Sequence, residues 1–336
     1  MNKVCILGAG SWGTALSTVL AQNCSHVSLW GKSEAVIQDM QVSRKNHRFL
    51  PGVALAGNIE PLTDLQAALK GASLVLGVVP SHAMRSVLER VKPLAEPDTY
   101  FLNCAKGLEL STVKRMSEVF LDVLGEQAKD RIAVLSGPSH AEEVGKKIPT
   151  LITIAAYNPE TARIIQEPFM TPEFRAYTNP DIVGVELGGT LKNIVALAAG
   201  MLAGLGYGDN AQAALITRGL AEMMRMGKVL GGSPHTFSGL SGLGDLVVTC
   251  SSKFSRNRQA GYLLAQNKKL DEVLQEVGMV VEGVNATRIV YQLSQKYQVE
   301  MPICEACHRV LEEEANPQEE VFRLMQRERK DETADL

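Results

Sequence analysis

The sequence predicts an α/β domain built on a doubly wound parallel sheet, followed by an all-helical domain. Three observations predict it. Short apolar runs alternate with amphipathic segments through the first half of the chain. A glycine-rich turn follows the first of those runs within ten residues. After about residue 180 apolar residues recur at helical spacing and strand-like runs stop. A chain of 336 residues has length for about two domains. They are assigned as 1–180 and 181–336, the second ending in an acidic, frayed tail.

The apolar runs at 4–7, 27–30, 73–79, 99–103 and 132–136 read as buried parallel strands. Segments 12–22, 34–45, 64–70, 82–93 and 112–124 read as the helices between them. Runs 150–155 and 174–178 extend the sheet, with a helix at 159–170 between them. Beyond residue 180, Leu187, Leu191, Ile194, Val195, Ala198 and Leu202 mark a helix apolar almost all round. Segments 210–230, 256–267, 271–276, 283–297 and 303–315 follow as helices. Residues 184–244 hold 14 of the 29 glycines. Each glycine costs a helix about 1 kcal/mol against alanine, so this density points to close backbone contacts and to a site.

Charge and composition exclude several classes. With 45% hydrophobic and 21% charged residues the chain is globular, not disordered. Its net charge is −3, but residues 312–336 carry nine acids and four bases, a net of −5. The remainder is therefore +2, too little for a polyanion binder, and no nucleic-acid partner is expected. The N-terminus lacks the apolar length and cleavage site of a signal peptide. The longest uncharged apolar stretch, 193–208, is 16 residues with four glycines, short of the ~18–20 that span a bilayer. Six scattered cysteines read as reduced core thiols. A cytoplasmic protein without membrane insertion is expected.

Gly8-Ala9-Gly10-Ser11-Trp12-Gly13 is a G-x-G-x-x-G turn between a strand and a helix. In that setting each glycine has a reason: a tight turn, backbone approach to a diphosphate, and helix–strand packing. The first domain is thus a Rossmann-type dinucleotide-binding sheet. NAD sites end their second strand with a carboxylate for the ribose 2′-hydroxyl. Here that strand runs into Gly31-Lys32-Ser33, with Glu34 only at the helix start. Lys32 and Ser33 suit a 2′-phosphate, so NADPH is expected to be preferred over NADH.

Lys192 stands in the apolar helix with no polar face to join. A buried ammonium is costly unless paired or used, and burial lowers its pKa toward neutrality, where it can work as acid or base. Lys106 follows the strand at 99–103, and Gly137 and Ser139 follow the one at 132–136, all at strand C-terminal ends where α/β sheets bind ligands. Asp245 reads as a lone carboxylate in the glycine turn Gly242-Leu243-Gly244. Ser255, Arg256 and Asn257 open a helix, an N-cap with a guanidinium beside it that suits a phosphate. His82 and His140, near strand ends, are the rival general acids. Cys304 and Cys307 form a C-x-x-C without a second pair or a redox setting, so they read as core thiols and no metal is expected.

GAGSWGTA, NHRFLPG, NCAKG, SGPSHAEEV, VELGGTLKNIVALAAGMLAGLGYGDN, GLSGLGDLVVTCSSKFSRN and VVEG succeed one another over nearly the whole chain. Together they resemble the NAD(P)-dependent glycerol-3-phosphate dehydrogenases of the soluble bacterial type. The resemblance implies reversible reduction of dihydroxyacetone phosphate to sn-glycerol 3-phosphate for glycerophospholipid biosynthesis, with NADPH or NADH as cofactor and a phosphorylated triose as the small-molecule partner. It implies Lys192 as proton donor and acceptor, with Lys106 and Asp245 beside it. It implies substrate contacts at Lys106, Gly137, Ser139, Lys192, Asp245, Ser255, Arg256 and Asn257. Cofactor contacts are implied at Ser11, Trp12, Lys32, Phe49, Lys106, Ala141, Arg256, Val280 and Glu282. Cys104 stands where a small or β-branched residue is usual, and Thr190 where alanine is common. A related β-hydroxyacid dehydrogenase acting on a carboxylate substrate is the alternative, and a non-enzymatic NADPH sensor a more distant one. The glycine-rich helical segment is compatible with a homodimer.

Overall fold

A computed structural model describes residues 1–332 and falls into two compact units. Unit 1 is Met1–Ala105 with Lys114–Ile182; unit 2 is Lys106–Val113 with the residues from Val183 onward. The boundary read near residue 180 did not anticipate that Lys106–Val113 belongs with the helices. Leu108 explains it, because this buried side chain joins the apolar core of unit 2.

Unit 1 contains strands β1 (Lys3–Leu7), β2 (His26–Trp30), β3 (Lys45–Asn46), β4 (Leu50–Ala54), β5 (Ile59–Leu62), β6 (Leu74–Gly77), β7 (Tyr100–Asn103), β8 (Ile132–Ser136), β9 (Thr150–Ala156) and β10 (Phe174–Asn179). Its helices are α1 (Ser11–Leu20), α2 (Glu34–Ser43), α3 (Leu65–Leu69), α4 (Met84–Val91), α5 (Met116–Leu124), α6 (Ala141–Val144) and α7 (Pro159–Gln166). Eight strands form one sheet in the order β10-β9-β8-β7-β6-β1-β2-β5, and β3 and β4 form a separate hairpin. Along β1, Val4 and Ile6 enter one core while Cys5 and Leu7 enter another. That alternation buries both faces of the sheet, as a doubly wound fold requires. The chain leaves β1 toward β2 and later returns to β1 from the other side as β6. The glycine turn after β1 therefore sits at the topological switch point.

Two features depart from expectation. The sheet is not wholly parallel: β8 and β9 pair antiparallel, and β10 follows β9 in parallel. The link from β8 to β9 carries only the four-residue α6, less than the crossover a parallel return needs. The hairpin β3–β4 and strand β5 were also not anticipated from the sequence, since Gly52, Gly57 and the two prolines break the strand pattern.

Unit 2 holds most of α8 (Ile182–Gly204), then α9 (Asp209–Val229), α10 (Pro234–Phe237), a π-helical turn (Leu240–Gly244), α11 (Asp245–Ser251), α12 (Arg256–Leu264), α13 (Leu270–Val277), α14 (Glu282–Tyr297), α15 (Pro302–Glu312) and α16 (Pro317–Met325). By length and composition α8 would suffice to cross a membrane, which the uncharged window 193–208 understated; most of it is buried in the protein. Its glycines do what their density suggested. Side chains at Gly200 and Gly204 would run into the backbone of α12, and one at Gly261 into that of α8. The two helices thus pack backbone against backbone. Helix α16 was missed despite a readable start: Asn316 caps it through Gln318 N–H (2.8 Å), with Pro317 next. Arg327 and Lys330 both pair with Glu300; residues 333–336 lie outside the described residues.

Candidate active site

In unit 1 the glycine turn is shaped by three different constraints. Gly8 has φ +129°, which side chains rarely adopt. A Cβ on Gly13 would overlap the Gly8 carbonyl, so helix α1 lies close against the end of β1. Gly10 is under neither constraint: its φ is −81°, and a Cβ there would meet no atom of the described residues within 4 Å. Nothing among the described residues requires glycine at this position. A diphosphate lying against the backbone would, and the first-turn N–H groups at Ser11 and Trp12 have no partner inside the helix. The turn therefore fits a dinucleotide. Lys32 is exposed on the loop after β2, followed by Ser33 at the N-cap of α2. Phe49 is half-buried on the β3–β4 hairpin, with the Arg48 guanidinium 5.1 Å from its ring. After β8, Gly137 has φ +136°, the Ser139 hydroxyl donates to the Gly137 carbonyl (2.9 Å), and Ala141 begins α6. His82 is exposed and His140 partly buried, both in this unit.

Unit 2 gathers Lys192, Lys106 and Asp245. Lys192 and Asp245 are buried, and Lys106 is partly exposed. The Lys192 Nζ donates to Asp245 Oδ1 and to Thr249 Oγ1 (2.6 Å), and the Lys106 Nζ donates to Asp245 Oδ2 (2.6 Å). One carboxylate thus bridges two ammonium groups. Backbone geometry delivers it. Gly188, one turn before Lys192 on α8, lets the π-helical turn come so close that a Cβ there would overlap the Ser241 carbonyl. Asp245 follows directly as the first residue of α11. The expected glycine turn at Gly242–Asp245 is thus helical backbone. Its Gly242 is needed because a Cβ would overlap the backbone of Phe237. Lys106 reaches the same carboxylate after Asn103 closes a turn onto Ala105 N–H (3.1 Å).

The electrostatics follow from burial and pairing. Burial pushes the Lys192 ammonium down to about 7; the Lys106 charge adds to this and the Asp245 carboxylate opposes it. Burial alone would raise Asp245, but Lys106 and Lys192 outweigh it and hold the carboxyl below its usual range. A proton on Lys192 is thus poised to leave near neutral pH while its anionic partner stays charged.

Ser255 caps α12, its Oγ accepting from Arg258 N–H (3.2 Å). Arg256 is exposed and donates to the Val280 carbonyl (2.9 Å), just before Glu282 opens α14. The Asn257 amide donates to Asn193 Oδ1 (2.8 Å) and accepts from Gly283 N–H (2.9 Å), tying α12 to α8 and α14. Three residues escaped the sequence reading: two with a part in these arrangements, and Asn46, whose Nδ2 donates to the Ala9 carbonyl of the glycine turn (3.0 Å). Thr249 lies one helical turn beyond Asp245, a spacing that could have flagged it. Asn193 adjoins Lys192. Asn46 opens the motif NHRFLPG but carried no signal of its own. Cys304 and Cys307 are buried free thiols, like the other four cysteines.

Two family models match this chain. Residues 3–162 match the NAD-dependent glycerol-3-phosphate dehydrogenase N-terminus, and residues 181–322 the C-terminus of the same family. The chain is 53% identical to the glycerol-3-phosphate dehydrogenase [NAD(P)+] of Syntrophomonas wolfei, over all of this chain and 98% of that one. It is 52% identical to that of Bacillus velezensis, over all of this chain and 97% of the other. The crystal structure of glycerol-3-phosphate dehydrogenase from Coxiella burnetii superposes with a TM-score of 0.91 at 41% identity, covering 97% of this chain and 99% of that one.

Proposed function

Since the chain belongs to the NAD-dependent glycerol-3-phosphate dehydrogenase family, we propose that it interconverts dihydroxyacetone phosphate and sn-glycerol 3-phosphate, with Lys192 as the general acid and base. The observation that carries this role is the buried Lys192, which shares Asp245 with Lys106 and has its pKa drawn to about 7. When bound, the nicotinamide cofactor supplies or accepts the hydride at the substrate's C2. In the reducing direction Lys192 gives its proton to the carbonyl oxygen as negative charge develops there, and is left neutral. In the oxidising direction the neutral amine takes the hydroxyl proton. Asp245 holds Lys192 in place and keeps Lys106 beside it, so a second positive charge faces the developing oxyanion. Arg256, Ser255 and Asn257, at the start of α12, receive the phosphate, whose binding energy orients the ketone.

The finer assignments extend the same reading. Residues 1–180 bind the dinucleotide, and 181–336 together with Lys106 carry the catalytic groups. Lys32 favours NADPH over NADH, and a higher kcat/KM with NADH would refute that preference. The product serves glycerophospholipid synthesis in the cytoplasm. The test of the main claim is NADPH oxidation with dihydroxyacetone phosphate against a panel of 3-oxo acids, in wild type and Lys192→Ala. Turnover on the triose phosphate, and a kcat loss of about 10²–10³-fold in the variant, are expected by analogy with loss of one positioned donor. Turnover on the acids alone, or a variant within about threefold of wild type, would refute it.

A further inference from the structure

We propose that Asn46 is a positioning residue for the cofactor, holding the glycine turn in its anion-binding form. The inference rests on the reading of that turn as the dinucleotide site. Asn46 is fully buried, and both ends of its amide are in use. Its Nδ2 donates to the Ala9 carbonyl (3.0 Å) and to Thr14 Oγ1 (2.8 Å), and its Oδ1 accepts from Phe49 N–H (3.1 Å). Thr14 in turn donates its hydroxyl to the Gly10 carbonyl (2.8 Å).

The consequence is a division of labour at the turn. The two carbonyls between Gly8 and Ser11 are both claimed from inside the protein, Ala9 by Asn46 and Gly10 by Thr14. With its acceptors engaged, the turn is left to present N–H groups to a diphosphate. The same amide fixes the hairpin that carries Phe49 to the turn. An apolar residue of similar size at position 46 would satisfy the core but leave the Ala9 carbonyl without its buried donor. Replacing Thr14 by valine would remove the hydroxyl relay without changing shape, leaving the Gly10 carbonyl only its bond from the Thr14 N–H (3.0 Å).

Asn58, a half-buried asparagine, provides the control. Its amide donates to the carbonyls of Ala21 and Cys24 (both 2.9 Å) at the opposite end of α1, with no link to the turn. Cofactor Kd, KM for each substrate, kcat and Tm should be measured for Asn46→Ala, Thr14→Val, Thr14→Ser, Asn58→Ala and Gly10→Val in the full chain. Asn46→Ala is expected to raise NADPH Kd and KM about 10–30-fold, with kcat and the triose phosphate KM within about threefold. Thr14→Val should raise Kd about 3–10-fold, and Thr14→Ser, which keeps the hydroxyl, should restore it. Asn58→Ala should lower Tm and leave Kd unchanged. If Asn46→Ala does not fold, the Thr14 pair carries the test. Asn46 and Thr14 variants that lose only Tm, like Asn58→Ala, while Gly10→Val abolishes NADPH binding, would overturn the positioning role and leave the cofactor reading intact. Unchanged NADPH binding in Gly10→Val would instead overturn the reading of the turn, and the role of Asn46 with it.

Discussion

Two buried ionisable groups in unit 2 sit at the same point on the pH scale, brought there by burial from opposite sides. Burial lowers Lys192 to about 7 and raises Glu222, on α9, to about 7. Their partners differ in kind. Lys192 meets a carboxylate that it shares with a second lysine, and the hydroxyl of Thr249. Glu222 accepts from the backbone N–H groups of Ile303 (2.7 Å) and Cys304 (3.3 Å), at the start of α15. The first arrangement is made of side-chain charges that can exchange a proton with a substrate. The second satisfies helix-end donors that otherwise have no partner. A displaced pKa therefore marks burial in both places, and only the partners separate a chemical group from a structural one.

The comparison is broken most severely by removing Asp245. Asp245→Ala removes the carboxylate that opposes the effect of burial on Lys192, so its pKa falls further and the buried group loses both its partner and its proton. It should lower kcat by about 10³-fold or more and destabilise the fold by about 3–5 kcal/mol. A urea titration alongside the kinetics checks both. Next in size is Gly188→Ala, whose added methyl must push back the π-helical turn that carries Asp245. Overpacking of this kind costs about 1–3 kcal/mol, and a kcat loss of about 10–100-fold is expected if Lys192 and Asp245 separate. A variant that loses stability but keeps kcat would show that the spacing of this pair matters less than its charge.

Glu222→Gln should have the smallest effect on turnover, with kcat within about twofold of wild type. Its signature is in stability. A carboxyl whose pKa is raised in the folded state contributes stability that is fully present below about 4.5 and is lost as pH rises through about 7. The variant should flatten that fall by about 1–3 kcal/mol in denaturant titrations across this range. Lys192 acts with the opposite slope. Its lowered pKa contributes stability that is present above about 10.5 and lost as pH falls through about 7.

These two groups also show what a sequence can and cannot reveal. Lys192 was legible because α8 is apolar almost all round, so the few charges in it, Glu186 and Lys192, had to be buried. Glu222 was not, because α9 is an ordinary amphipathic helix and its partners lie some eighty residues away in the chain. The strands of the sheet were legible from their apolar runs, apart from the hairpin and β5. The glycine turn was legible from its spacing and its place after β1. The reversal at β9 was not, since β9 has the composition of a parallel strand and only the short link before it turns the chain back. Asp245 was legible as a lone carboxylate but not as the bridge between two lysines. That bridge depends on Lys106–Val113 belonging to unit 2 and on the close approach permitted by Gly188, both matters of tertiary contact. Asn46 was illegible for the same reason: its bonds reach back 32 and 37 residues.

The most direct measurement is the pH dependence of kcat/KM in both directions, from pH 6.5 to 9.5, for wild type and Lys192→Arg. With Lys192 titrating near 7, reduction should fall and oxidation should rise as pH climbs through that value, because one direction needs the ammonium and the other the amine. Lys192→Arg, which stays charged throughout, should lose the limb along with most of the activity. The same limb persisting unchanged in Lys192→Arg, or a flat wild-type profile in both directions, would contradict the role assigned to Lys192.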